Sequence, residues 1–598
     1  MLFPYDTESG AMVLLSARQR SQNRASLSWV YWGALEMPTD SGVCIKIPIP
    51  FEHYSRSAPR KEPENIVVMA LSTLAQPTVL AVVAVVTSYL LTRGLYLAFF
   101  HPLARYPGPF LAKFTNAYAA YHGWKGDIHL DMWRCHQRYG DHVRYGPNQL
   151  MFNTAEGLRD IYGISAASKF MKAQAYAPMV HRAPNTLTIR GGKDHARRRR
   201  IMAQGVSEKA QRGYEHRIAT HINKFCDIAF PDQSAGESRD WSEPMDMSKW
   251  CNYLSFDIMA DVVFGAKYDL LSDERFRYVV ESIDKSNVRM SALIQFPKFA
   301  ALKIDKYIFQ DAIVARNRFV KFVLRVVKDR LEKGKTTSID IYSPTSSDAD
   351  VFANLAAAKD PETGEGFRPA EIAAESTTLI VAGSDTSSTA FSSVLFYLAD
   401  NKSAYAKAAE EVRSKFSSRE EVCLGATLAS CSYVRACIDE ALRMSPPVGS
   451  ALWREAMPGG TTVDSRAVPA GVDVGVPIYS VHHAPKYYPD PFQYKPERWL
   501  VDDGTGSIER GRSVFNPFSV GSRGCLGKGL ANTEMMLTIA TILFVGDFKF
   551  ADGEKGNVGR GQSGATHGRH RSNEYQLYDH VTCQKLGPFL QFSPRQVV

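Results

Sequence analysis

Toward the C-terminal end of this 598-residue chain, one cysteine stands in the segment Phe518-Ser-Val-Gly-Ser-Arg-Gly-Cys-Leu-Gly527. Glycines at 521, 524, 527 and 529 let the backbone turn tightly and come close to a flat group that a side chain would push away. A cysteine held in such a loop can aim its sulfur at a metal. Backbone N–H groups at the start of the apolar run from Leu530 would favour its thiolate. Most loop cysteines are inert buried side chains. The spacing of Phe518, Gly521, Arg523, Cys525 and Gly527 sets this one apart.

Further groupings upstream could also do chemistry. Ala382-Gly-Ser-Asp-Thr386 lies within a helical stretch from about Pro369 to Leu398. A mid-helix glycine costs about 1 kcal/mol against alanine, so Gly383 asks for a reason. Its missing side chain would open a groove beside which Asp385 and Thr386 offer a carboxylate and a hydroxyl suited to handing on protons. Glu440 and Arg443, in VRACIDEALRMSPP, share a helical face and can pair; on a surface that pair would contribute only roughly 0.3 kcal/mol. His195 and Arg199 share a helical face too, where an imidazole and a guanidinium can grip anionic groups. Arg197, Arg198 and Arg200 beside them read as a solvated basic face.

One by one, Phe518, Gly521, Arg523, Cys525 and Gly527 resemble the haem-binding signature of the cytochrome P450 family, and the other groupings follow in that family's order. The resemblance implies that Cys525 is the proximal ligand to the iron of haem b (iron protoporphyrin IX), with Phe518 beside the sulfur. Arg523 would reach a haem propionate, as would His195, Arg199 and Arg454 of Leu452-Trp-Arg454; a tryptophan is frequent where His195 stands. Glu440 and Arg443 resemble the ExxR motif. Arg498 of Pro496-Glu-Arg-Trp499 would complete a structural network with them beneath the haem. Asp385 and Thr386 resemble the oxygen-activation motif, with Ser387 where a second threonine is common.

The implied reaction inserts one atom of O2 into a hydrophobic organic substrate. Electrons from NADPH would arrive through a separate NADPH–cytochrome P450 reductase, since the chain carries neither GxGxxG after a strand nor a Walker-type loop. Two alternatives share the fold: a haem-thiolate isomerase or dehydratase that uses no oxygen, and a non-catalytic haem-binding sensor or carrier. Asp385 and Thr386 speak against both, because neither needs a proton relay. The substrate pocket would draw on the loop near Tyr176, residues 294–299, 376–384 and 448–452, and the turn near Leu586, which are mostly apolar or small. The motifs resemble fungal microsomal members, many of which tailor secondary metabolites.

These side chains need a scaffold to position them. The pattern is mainly α with a small β region, consistent with a single large catalytic domain of the cytochrome P450 fold over residues 110–598. From about Tyr106 to Asp400 apolar residues recur at three and four positions. Strand signals are short and late, as at Val472 to Ile478 after the turn Pro469-Ala-Gly471. The Gly, Arg and His-rich segment 553–571 reads as a solvated loop.

The composition, 45% hydrophobic and 22% charged, is that of a globular chain. A net charge of +9, from 71 basic and 62 acidic residues, suits an anionic membrane surface or an acidic protein partner. The basic residues are scattered without zinc-finger spacing or an aromatic RNA-binding signature, which argues against nucleic acid. Nine widely spaced cysteines without a CxxC pair read as reduced thiols facing the cytosol.

Ile66 to Leu91 contains no charged residue, and at about 1.5 Å per residue it can cross a hydrocarbon core of about 30 Å. It reads as a transmembrane anchor, kinked at Pro77 and followed by a Pro-rich hinge over 92–109. Arg93, Arg105 and Lys113 after it favour a catalytic domain on the cytosolic side, a single-pass arrangement that the resemblance puts in the endoplasmic reticulum membrane and its lipid. Residues 1–65 form an extension with no assigned role. Met69 opens a run like a signal-anchor start, which would make residues 1–68 a misassigned beginning.

Overall fold

The computed structural model describes residues 77–180, 183–231, 241–336, 350–502 and 504–595, together with a short antiparallel pair, Ala34–Met37 and Ile45–Pro48. The remainder of the N-terminal extension, Met69 included, and the first part of the expected anchor lie outside the described residues.

Helix α1 spans Pro77–Leu95 and continues as a π-helical turn over Tyr96–Phe100. Pro77 is the first described residue of this helix, so the expected kink there adjoins residues outside the described ones. Pro77–Phe100 is long and apolar enough to cross a membrane, and none of α1 is buried. The following His101–Pro109 stretch is docked, not a free hinge. The Arg144 amide donates to the Pro107 carbonyl at 2.8 Å, and the Arg144 guanidinium donates to the Leu97 carbonyl at 2.8 Å. A Cβ on Gly108 would fall 2.1 Å from the Arg144 carbonyl oxygen, so only glycine permits this approach.

The body that follows is mostly helical with small sheets. Its largest sheet comprises β1 (His142–Gly146), β2 (Gln149–Phe152), β3 (Phe170–Lys172), β4 (Arg454–Ala456) and β5 (Asp473–Gly475). Their order is β1-β2-β5-β4-β3, with β2 and β5 parallel and the other pairs antiparallel. The late strand signal thus shortens to β5, and Ile478 opens a short helix instead. A final hairpin pairs β6 (Leu577–His580) with β7 (Thr582–Lys585).

The helices that carry chemistry are α2 (Gly192–Gly205), α3 (Glu208–Ala229), α4 (Met247–Phe264), α5 (Tyr278–Gln295), α6 (Gln310–Thr336), α7 (Pro369–Asp400), α8 (Ser432–Met444) and α9 (Lys528–Val545). Helix α7 starts with Pro369 in its first turn, and the Glu371 carboxylate accepts the Arg368 amide at 3.0 Å, satisfying a donor at the helix start. From Ser387 to Leu398 every residue of α7 is buried. A helix apolar on one side only could not sit there. Several of its hydroxyls survive burial by donating to carbonyls one turn back, as Ser392 does to Ser388 at 2.9 Å and Ser393 to Thr389 at 2.7 Å.

Two basic segments depart from the sequence expectation. In α2, Arg198 is buried and pairs with Glu371 at 2.9 Å, Arg197 reaches the same carboxylate at 3.2 Å, and Arg200 grips Asp360 at 2.6 and 3.0 Å. These arginines clamp α2 to the start of α7 and to the segment before it, so the solvated reading fails for them. In 553–571, Arg560 pairs with Asp400 at 2.7 Å, Arg569 donates to the Leu577 carbonyl at 2.8 Å, and Arg571 lies 3.5 Å from the Phe492 ring centroid. Composition marked this segment as loop, but guanidinium–ring and ion-pair contacts fasten it to the body.

Candidate functional site

The Cys525 loop is shaped by two close approaches. Gly521 has φ +70°, and a Cβ there would lie 2.0 Å from the Tyr162 carbonyl; a Cβ on Gly529 would meet the Gln211 amide at 2.7 Å. Both glycines therefore serve protein packing, whereas Gly527 has open space beside it and leaves room for a flat group. The Cys525 amide donates to the Phe518 carbonyl at 2.8 Å, closing the loop, and Phe518 packs against the main core. Cys525 keeps accessible surface although protein crowds its thiol closely. Burial pushes the thiol pKa up, while the Gly527 and Lys528 N–H groups and the Arg199 and Lys528 charges favour the thiolate.

Beside this loop is a cavity of about 420 Å³ whose lining includes His195, Arg199, Arg454 and Arg523. Arg199 donates to the Gly524 carbonyl at 2.8 Å, so it braces the cysteine loop directly. Arg523 donates to the Ile189 and Arg190 carbonyls at 2.7 and 2.8 Å. Arg454 lies over the Tyr162 ring and donates to the Leu452 and Trp453 carbonyls at 3.2 Å. Lys172 on β3 joins them: it is buried, sits 4.9 Å from the Tyr176 ring centroid and donates to the Leu187 carbonyl.

Four cations are thus gathered with no carboxylate in ion-pair contact among the described residues, and they act on one another. Burial and the neighbouring charges of Arg454 and Arg199 hold the Arg523 pKa down to about 10. Burial and Arg523, Lys172, Arg199 and Arg454 hold His195 at about 3, so its ring is neutral near pH 7. A cluster that repels itself and satisfies its donors with carbonyls and a phenol is built for an added anion, and the two propionates of a haem fit that charge. The residues present suit the group: a cysteine beside the Gly527 and Lys528 N–H groups, open space at Gly527 and cations for its carboxylates. Lys172 was not legible as part of this set, because a lone lysine in a short strand carries no spacing signal.

Glu440, Arg443 and Arg498 meet in the core. Glu440 receives Arg443 twice at 2.9 Å, Arg498 at 2.9 Å, the Trp499 indole at 3.0 Å and the Lys495 amide at 3.0 Å. Glu440 and Arg443 are fully buried. Burial alone would raise the Glu440 pKa, but the Arg443 and Arg498 charges and hydrogen bonds pull it below the usual carboxylate range.

On α7 the structure corrects the groove reading of Gly383. A Cβ at Gly383 would lie 2.4 Å from Cε and 2.6 Å from Sδ of Met259, so this glycine makes room for α4. Ala382 and Thr386, one turn apart, keep the more accessible face, and the Thr386 hydroxyl donates to the Ala382 carbonyl at 2.7 Å. Asp385 points elsewhere. Its buried carboxylate accepts Asn287 of α5 at 3.1 Å and the hydroxyl of Thr582 on β7. Glu534 on α9 was also missed, although a single acid in the apolar run TEMMLTIATILF marks it.

The profile of the family described as Cytochrome P450 matches residues 107–558. The chain is 46% identical over 504 residues to the cytochrome P450 monooxygenase poxM of Penicillium oxalicum, covering 84% of this chain and 92% of that protein. It is 43% identical to the cytochrome P450 monooxygenase AKT7 of Alternaria alternata, over 86% and 97% of the two chains. Against the cytochrome P450 monooxygenase atnE of Emericella nidulans the identity is 42%, over 84% and 93%. With the family profile spanning most of the chain and relatives aligned through nearly their whole length, the chain belongs to the cytochrome P450 family and is a haem-dependent monooxygenase.

Proposed function

We propose that this monooxygenase inserts one atom of O2 into a hydrophobic organic molecule, in secondary metabolism, with two electrons from NADPH delivered by a separate reductase. When bound, haem supplies the redox chemistry, with the Cys525 thiolate as an electron-rich ligand of the kind cited for this family. Lys172, Arg199, Arg454 and Arg523 hold its carboxylates, and neutral His195 adds one N–H donor. Glu440, Arg443 and Arg498 keep the scaffold below rigid. The observation that carries the oxygen-using reading is the polar pair on α7: Thr386 keeps a hydroxyl on the more accessible face of the helix, and the Asp385 carboxyl, one residue before it, is held in the interior by Asn287 and Thr582. An isomerase or a carrier has no use for that pair.

The exposed Lys528 and Arg212 near the cysteine-loop side suit an acidic reductase. Helix α1 supports a single-pass anchor in the endoplasmic reticulum with the body in the cytosol. The test is product formation from candidate hydrophobic substrates that requires NADPH, O2 and reductase together. Thr386→Ala is expected to retain haem yet divert reducing equivalents to hydrogen peroxide. Product that forms without NADPH or O2 would replace the reading with the isomerase or dehydratase one.

A further inference from the structure

A second, open cleft of about 590 Å³ lies between α3, α9 and the segment 419–423, and it shares no lining residue with the haem-flanking cavity. That volume is within the range of small-molecule sites. Two pins fix its shape. At one end the Leu424 amide donates to Oε1 of Glu215 on α3. At the other, Arg419 donates to Oδ1 of Asn223 at 2.7 Å and to Asp227 at 2.6 Å. Glu215 and Asn223 stand about two turns apart on α3, roughly 12 Å at 1.5 Å per residue. Between the pins, Ala219 and Ile222 of α3, Val422 and Leu537 of α9 give the lining an apolar base.

The ionic groups of the rim are sorted by end. Arg212 and His216 lie beside the Glu215 pin, both exposed, and neither side chain makes a hydrogen bond or ion pair among the described residues. Glu420 follows the Arg419 pin and is exposed as well. Its carboxylate meets its own N–H and Ser418 but no cation in an ion pair among the described residues. The other two acids are engaged, Glu215 by the Leu424 amide and Asp227 by Arg419. The cleft therefore offers an unmatched cation at one end and an unmatched carboxylate at the other, above an apolar base.

We propose that this cleft binds a short zwitterionic peptide with apolar side chains, its carboxylate on Arg212 and His216 and its ammonium group on Glu420. A guanidinium takes a carboxylate through two parallel hydrogen bonds, which fixes direction as well as position. An extended residue spans about 3.5 Å, so a tripeptide comes close to the roughly 12 Å between the pins. Its side chains would cover Ile222 and Leu537. A fatty acid would leave Glu420 unmatched, and a polyamine would leave Arg212 unmatched. Cys423 is exposed in the same lining, so an occupant covers its thiol.

The test uses the haem-loaded full-length protein without reductase, so its outcome does not depend on how electrons reach the haem. Cys423 is modified with the uncharged reagent N-ethylmaleimide and followed by peptide mass, with trileucine as the probe. Trileucine is expected to slow the reaction at Cys423 in a saturable manner. N-acetylated and C-amidated trileucine are each expected to protect about tenfold more weakly, the loss of one charge-assisted contact. Arg212→Gln and Glu420→Gln should each weaken protection by the unblocked peptide by a similar factor. Absence of protection by trileucine, protection that survives blocking either end, or full protection in either variant overturns the inference.

Discussion

The hydroxyl of Ser387 donates to Oε2 of Glu534 at 2.8 Å, tying the middle of α7 to the helix that follows the Cys525 loop. Glu534 is buried, its other oxygen has no hydrogen-bond partner, and burial pushes its pKa up to about 7 from 4.5, with Ser387 opposing. Ser387 stands where a second threonine is common in the family, and here its hydroxyl serves a helix junction.

That junction predicts a pH-dependent stability. An acid whose folded pKa is raised contributes fully below its unfolded value and loses the contribution as pH climbs through the folded one. The window here is about 4.5 to 7, and the loss amounts to about 3 kcal/mol. Glu534→Gln keeps the acceptor for Ser387 and cannot ionise. Thermal unfolding of this variant is expected to be flatter with pH than the parent's, and more stable above pH 7.

Arg443→Ala should be far more damaging than any surface ion-pair change. It leaves the fully buried Glu440 carboxylate with Arg498, Trp499 and the Lys495 amide but without its bidentate partner. Breaking a buried pair costs about 3–5 kcal/mol. The expected outcome is a protein that expresses poorly and fails to retain haem, read by the haem-to-protein absorbance ratio. In the parent the sign runs opposite to Glu534: the depressed Glu440 pKa gives stability above the unfolded value near 4.5 that is lost on acidification.

Lys172 predicts opposite effects on the haem-free and haem-loaded protein. Its neighbours Arg454, Arg523 and Arg199 repel it, with Glu375 the opposing charge. Lys172→Met should therefore stabilise the haem-free protein. Haem retention should weaken by about tenfold, the ~1.4 kcal/mol of one charge-assisted hydrogen bond. Thermal melts without haem and haem transfer to a scavenger protein measure the two arms. A melting temperature lowered in the haem-free state would contradict the repulsion.

Much of this was legible in the sequence for a physical reason. The Cys525 loop, Glu440 with Arg443, and the helix beginning near Pro369 are local patterns, where spacing alone brings groups onto one face or into one turn. What was not legible depends on distant pairings. Arg198 reads as solvated until Glu371 and Glu375 arrive from α7, and Arg571 until Phe492 does. Lys172 joins its cluster through Arg454 and Arg523, which lie hundreds of positions away.

Gly383 shows how the structure reverses an attractive local reading, and it yields the last prediction. If the glycine served to open a groove beside Thr386, alanine there would leave packing intact and gain about 1 kcal/mol of helix propensity. The structure instead sets its Cα against Met259, where a new Cβ would come within 2.4 to 3.0 Å of three side-chain atoms. Overpacking a tight core costs about 1–3 kcal/mol. Because Met259 is unbranched and can shift, the cost falls at the lower end, and the two effects nearly cancel. Gly383→Ala alone should change stability by less than about 1 kcal/mol. Met259→Ala alone should cost about 2–5 kcal/mol through the cavity it leaves. The decisive quantity is the double variant: the added methyl partly fills that cavity, so Gly383→Ala/Met259→Ala should be more stable than the sum of the single changes by about 1 kcal/mol. Strict additivity in chemical denaturation would mean the two side chains do not meet, and would return Gly383 to the groove.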